Sequence, residues 1–179
     1  MSSNTLRLFF RAATQYYITG RYAVLARLGP VAGNLLHHAV EMYLKGSLSR
    51  TMPLDEVKTL RHNLPQIWRV FKAQSENAGL ARFDSLVSSL DAFEELRYPN
   101  SALAEGMELT MGLSRSTAAP SAEVGARSIP SYELYVQDID ALVTEIFKVA
   151  SVNPAFFTSG LSERARAHLK ESNTQPWAG

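Results

Sequence analysis

The chain has 179 residues, a formal net charge of +1, and 46% hydrophobic against 20% charged residues, the balance expected of one globular domain with enough interior to fold unaided. It contains no cysteine, which excludes disulfides, thiolate metal sites and cysteine nucleophiles. A charge this close to zero excludes a strong global field, so a nucleic-acid partner would have to be held by a local basic patch.

Most of the chain reads as helix. Leu6, Phe9, Phe10, Ala13, Tyr16 and Tyr17 form an apolar stripe that predicts a helix from Thr5 to Ile18, closed by Gly20. Arg7 and Arg11 interrupt this stretch and argue against a signal peptide. No uncharged run is long enough to span a bilayer, so a cytoplasmic protein with no membrane partner is expected. Pro30 suits the first turn of a second helix, Pro30 to Ser49, whose wide stripe (Val31, Leu35, Leu36, Ala39, Val40, Tyr43, Leu44, Leu48) predicts a central position.

"TMPLDEVKTL" reads as a short helix capped by Thr51, and "RHNLPQIWRVFK" as a helix with Asn63 as N-cap and Pro65 in its first turn. After Gly79, Phe83, Leu86, Val87, Leu90, Phe93 and Leu96 predict a further helix ending near Pro99. From Ser101 to Pro130 the composition turns small and polar. "EGMELTMGL" alternates enough for a strand, and the stretch reads as an irregular or hairpin insertion. Helical spacing returns at Ser131, a candidate N-cap, and "SERARAHLKE" can form one more short helix. The expected architecture is all-α: an antiparallel bundle of four to five main helices over residues 1–150, with an insertion at 101–130 and a C-terminal extension at 151–179.

Chemistry concentrates in "NLLHHAVEMYLKG". His37 and His38 are adjacent and so point about 100° apart on a helix, a poor start for joint chelation. Each shares a face with Glu41, but carboxylate-bridged metal bundles use Glu-x-x-His, twice, with further glutamates, whereas here the order is reversed and occurs once. His37, His38 and Glu41 are therefore read as structural, with no metal. Glu41 and Lys45 stand in the favourable order for an i,i+4 ion pair worth about 0.3–0.5 kcal/mol; alternatively Lys45 offers its cation to a phosphate. Arg61 and His62 either anchor a turn or flank a helix N-terminus that attracts anions. Arg97 and Tyr98 would add a fork of donors and a stacking ring. Lys45, Arg61, His62, Arg97 and Tyr98 are thus the candidate nucleotide- or RNA-binding residues. Arg164, Arg166, His168 and Lys170, diluted by Glu163 and Glu171, read as a solvated face.

Taken in order, Ala39-Val40-Glu41 with Leu44-Lys45, then Arg61-His62-Asn63-Leu64, then Arg97-Tyr98-Pro99 resemble the motifs of the HEPN family, small helical domains of prokaryotic nucleotidyltransferase partners and RNase toxins. The similarity runs over roughly residues 5–99 and resumes at Ser131. It implies a homodimeric module that binds nucleotide or RNA, or pairs with a nucleotidyltransferase, in a toxin–antitoxin or defence setting, without a cofactor. RNA-cutting members carry an arginine and then a histidine with four to six residues between them. None of His37, His38, His62 and His168 has this; Arg164 and His168 come nearest, with three residues between them. The expected function is therefore non-catalytic binding. A divergent RNase built from Arg61, His62 and Arg97, a metal-dependent bundle using His38 and Glu41, and a pure interaction scaffold are the alternatives.

Overall fold

The computed structural model describes residues 2–97, 106–115, 130–171 and 173–175, and within these the protein is mostly helical with one two-stranded sheet. The first helix, α1 (Ser2–Leu25), runs straight through Gly20. That glycine is a point of close approach rather than a stop: a Cβ there would lie 2.7 Å from Leu36 Cγ on the next helix. The helix ends instead at Arg27, in the left-handed conformation (φ 58°). There the Leu28 N–H reaches Ala23 O at 2.8 Å and the Arg27 N–H reaches Val24 O at 3.0 Å, a Schellman closure that satisfies the last carbonyls.

Helix α2 (Gly29–Leu48) folds back along α1. Phe10 and Thr14 meet Tyr43, Tyr16 meets His38, and Gly20 meets Leu36, so one index rises as the other falls and the pair is antiparallel. Its central position is as expected: Leu36, Ala39, Val40, Tyr43 and Leu44 are fully buried. Gly33 admits the ring of Phe93 against the α2 backbone, where any Cβ would overlap it.

Helix α3 (Leu54–Thr59) is capped by Pro53 without a side-chain bond; Thr51, the expected cap, donates to Gln74 Oε1 at 2.5 Å instead. In α4 (Leu64–Ser75) Asn63 accepts from the Gln66 N–H at 2.9 Å, and Leu64, Ile67, Trp68 and Phe71 form the buried face, both as the sequence predicts. The segment after Gly79 is not one helix but a 3₁₀ turn (Ala78–Phe83), α5 (Asp84–Ala92) and a second 3₁₀ turn (Glu95–Arg97).

The strand expected near residue 108 is present as β1 (Glu108–Gly112), but its partner corrects two expectations. Ser131 caps no helix; Ser131–Tyr135 is β2, lying parallel to β1 in the register Leu109 to Tyr132 and Met111 to Leu134. A parallel pair cannot be a hairpin, since it needs a crossover between its strands. Tyr132 and Leu134 face the core while Ser131 and Glu133 face out, a period of two that overrode the cap signal. Helix α6 (Val136–Val149) follows directly, then α7 (Ala155–Thr158) and α8 (Glu163–Lys170), the last N-capped by Ser162.

The tail is fastened to α1. Leu169 is buried, the Arg21 guanidinium donates to Glu171 O at 2.6 Å, and Asn173 Nδ2 lies 3.5 Å from the Tyr17 hydroxyl. Arg21 and Asp140 are themselves buried, and Asp140 accepts from Arg21 through both oxygens and from the Tyr17 hydroxyl at 2.5 Å. Among the described residues, no helix is long and apolar enough to cross a membrane.

Candidate functional site

Three of the four histidines converge on one carboxylate. Glu41 projects from the middle of α2 and is 4% exposed. His37 stands one turn before it, with Nε2 3.7 Å from Oε2, and His38 Nδ1 lies 3.8 Å from the same oxygen. The two rings, 89° apart in plane, overcome their angular offset by presenting different nitrogens. His62 arrives from the turn before α4, with Nδ1 3.1 Å from both carboxylate oxygens. Lys45, one turn after Glu41, donates to Oε1 at 2.7 Å.

Electrostatics follow from this crowding. Burial by itself would push the Glu41 carboxyl up, but His37, His38 and Lys45 overturn it and hold the group far below the usual carboxylate range. Burial likewise presses His37 towards its neutral form, yet Glu41 and the Leu90 carbonyl prevail and its pKa is raised. The Leu90 carbonyl can only accept, so His37 Nδ1 carries a hydrogen and donates to it at 3.1 Å, tying α2 to α5. His37 Nε2 is thereby aimed at Glu41, fully buried and without a hydrogen-bond partner.

The expected binding residues separate into two groups. Lys45 and His62 join His37, His38 and Glu41 in the one cluster. Lys45 does not reach outward as a phosphate cation: it is 8% exposed, and its ammonium donates to both Glu41 and the Arg61 carbonyl. The left-handed backbone at Arg61 (φ 46°) turns that carbonyl onto the ammonium. Arg61 and His62 present exposed side chains. Beneath them the start of α4 is a poor anion cradle, because Pro65 has no N–H and Asn63 takes that of Gln66. Arg97 closes the 3₁₀ turn that packs on α2, and its side chain, like Tyr98, lies outside the described residues. In the tail, Arg166 turns back to donate to Ser159 O and Leu161 O rather than facing solvent freely.

Sequence reasoning missed the joining of His62 to Glu41, which are 21 residues apart. It also missed the Tyr17–Arg21–Asp140 group. A signal for the latter exists: Arg21 and Asp140 each interrupt an apolar helix face, and a charge in that place requires a buried partner. No protein-family model matches the chain, and comparison with curated proteins and with solved structures finds no match.

Proposed function

We propose that the chain is a HEPN-like helical module, an antiparallel bundle acting as a homodimer. It binds a nucleotide or RNA, or a nucleotidyltransferase partner, without cutting RNA, in a toxin–antitoxin or defence setting. One observation carries this reading: the Glu41–Lys45 pair of the first motif and the Arg61–His62 turn of the second form a single clasp, with the Lys45 ammonium sealed between Glu41 and the Arg61 carbonyl. The two motifs thus act as one structural unit, and Lys45, the cation that could have been offered to a phosphate, is already neutralised. Arg61 and His62 remain on the surface as donors for phosphate or for an acidic partner. Untagged protein incubated with single-stranded RNA is expected to bind it, more weakly in high salt and after Arg61→Ala, and to leave it intact. Cleavage that disappears in His62→Ala overturns the reading.

A divergent ribonuclease is the second reading, favoured by the pairing of His62 with Glu41. A buried carboxylate behind Nδ1 orients the imidazole, and a 66% exposed ring leaves Nε2 for a ribose hydroxyl. The same RNA incubation separates the two.

A further inference from the structure

We propose that His37 Nε2, His38 Nδ1 and Glu41 Oε2 form a site for a divalent transition-metal cation of the zinc class, closed on its solvent side by His62. The inference rests on the geometry of α2 and not on the HEPN-like reading, so the two stand or fall separately.

The donor set comes first. Neutral imidazole nitrogens and a carboxylate oxygen are the ligands such ions prefer, and the donor atoms of His37, His38 and Glu41 lie within 4.8 Å of one another. A tetrahedral ion with bonds of about 2.0–2.1 Å holds its donors roughly 3.3 Å apart. The 3.7 and 3.8 Å distances to Oε2 need only a small contraction around an ion, and His62 Nδ1 already stands 3.1 Å from that oxygen.

The second, independent observation is the state of His37. Its Nδ1–H is committed to the Leu90 carbonyl, an arrangement that fixes the ring of a metal-bound histidine and directs the Nε2 lone pair at the ion. That nitrogen is fully buried, has no hydrogen-bond partner and faces a carboxylate. A positive species between them removes the repulsion. The two candidates are a proton on Nε2 and a metal ion.

Charge divides across the two oxygens of Glu41. Lys45 occupies Oε1, leaving Oε2 to the imidazoles. The ammonium opposes a dication nearby, while Asp91 and Glu94, whose negative charges act on His37 from across the α2–α5 contact, offset it. Access is from the side of His38 and His62, whose side chains are 21% and 66% exposed.

The test uses the untagged full-length chain, stripped with chelator and titrated with Zn²⁺ by calorimetry at neutral pH, with Co²⁺ as a spectroscopic probe. One Zn²⁺ per chain, a raised melting temperature and the visible absorption of a tetrahedral Co²⁺ complex are expected. His37→Gln and Glu41→Gln should each weaken binding at least tenfold. Because His37 is buried and its variant can fail to fold, His38→Gln at the partly exposed position is the companion; it should keep the wild-type helical content and weaken Zn²⁺ in the same way. Failure of the wild-type chain to retain zinc, an Nε2 proton on His37 that zinc does not displace, or wild-type affinity in a folded His38→Gln protein overturns the proposal.

Discussion

Two buried carboxylates organise this molecule, and they are built differently. Asp140 on α6 is closed: both its oxygens accept from the Arg21 guanidinium, the Tyr17 hydroxyl completes the set, and the tail lies over the group through Glu171 and Asn173. Glu41 on α2 is more open: one oxygen is held by Lys45, the imidazoles of His37 and His38 stand 3.7 and 3.8 Å from the other, and the partly exposed His62, 3.1 Å from both, leads to solvent. A carboxylate satisfied on every side fixes helices in place. One with spare acceptor capacity beside an orphaned buried nitrogen can take a ligand.

The sharpest way to break this comparison is at the closed node. Asp140→Ala leaves Arg21 charged, buried and unpaired, and should cost about 3–5 kcal/mol of unfolding free energy in urea denaturation. Replacing both partners with apolar residues, as in the double variant Arg21→Met with Asp140→Leu, should cost less than the single change. A double variant as unstable as the single would mean that the tail contacts through Glu171, not the ion pair, hold α1 to α6.

At the open node the effects are smaller. Glu41→Gln removes the negative charge that neutralises Lys45 but leaves an amide oxygen and the Arg61 carbonyl as acceptors, and should cost about 1–3 kcal/mol by the same measurement. Stability should also vary with pH through His37. Its pKa is raised in the folded chain, so its contribution is complete below the ordinary histidine value of about 6.5 and fades as pH rises through the folded value. The gap in unfolding free energy between wild type and His37→Gln should therefore narrow with rising pH. Glu41 has the opposite sign: its lowered pKa gives stability that is present above the usual carboxylate range and lost in acid. A gap that widens towards alkaline pH would show that His37 is held neutral.

The smallest effect belongs to His62. Its ring is two-thirds exposed, so His62→Ala should change unfolding free energy by no more than about 0.5 kcal/mol, while weakening RNA binding if the exposed turn is the binding surface.

Legibility in the sequence followed the range of the forces involved. Local signals read correctly: the stripe and central place of α2, the Asn63 cap and the Pro65 first turn of α4, and the Ser162-led tail helix all depend on residues within a few positions of one another. Gly20 misled because a glycine that stops a helix and one that admits Leu36 look alike until the partner helix is known. Ser131 misled for a related reason. It has the chemistry of a cap, but pairing with a strand some twenty residues earlier decided its conformation. The cluster was half visible. His37, His38, Glu41 and Lys45 lie on one helix and could be placed by periodicity, whereas the arrival of His62 and the bond from His37 to Leu90 depend on how α4 and α5 pack.

The distinction between an open and a closed carboxylate is tested most directly by the imidazole nitrogen resonances of the untagged, chelator-stripped chain, recorded before and after one equivalent of Zn²⁺. The account predicts that the Nε2 signal of His37 and the Nδ1 signal of His38 move together while His168, beside the Asp140 node, stays in place. Unchanged spectra, or shifts confined to His168, would contradict it.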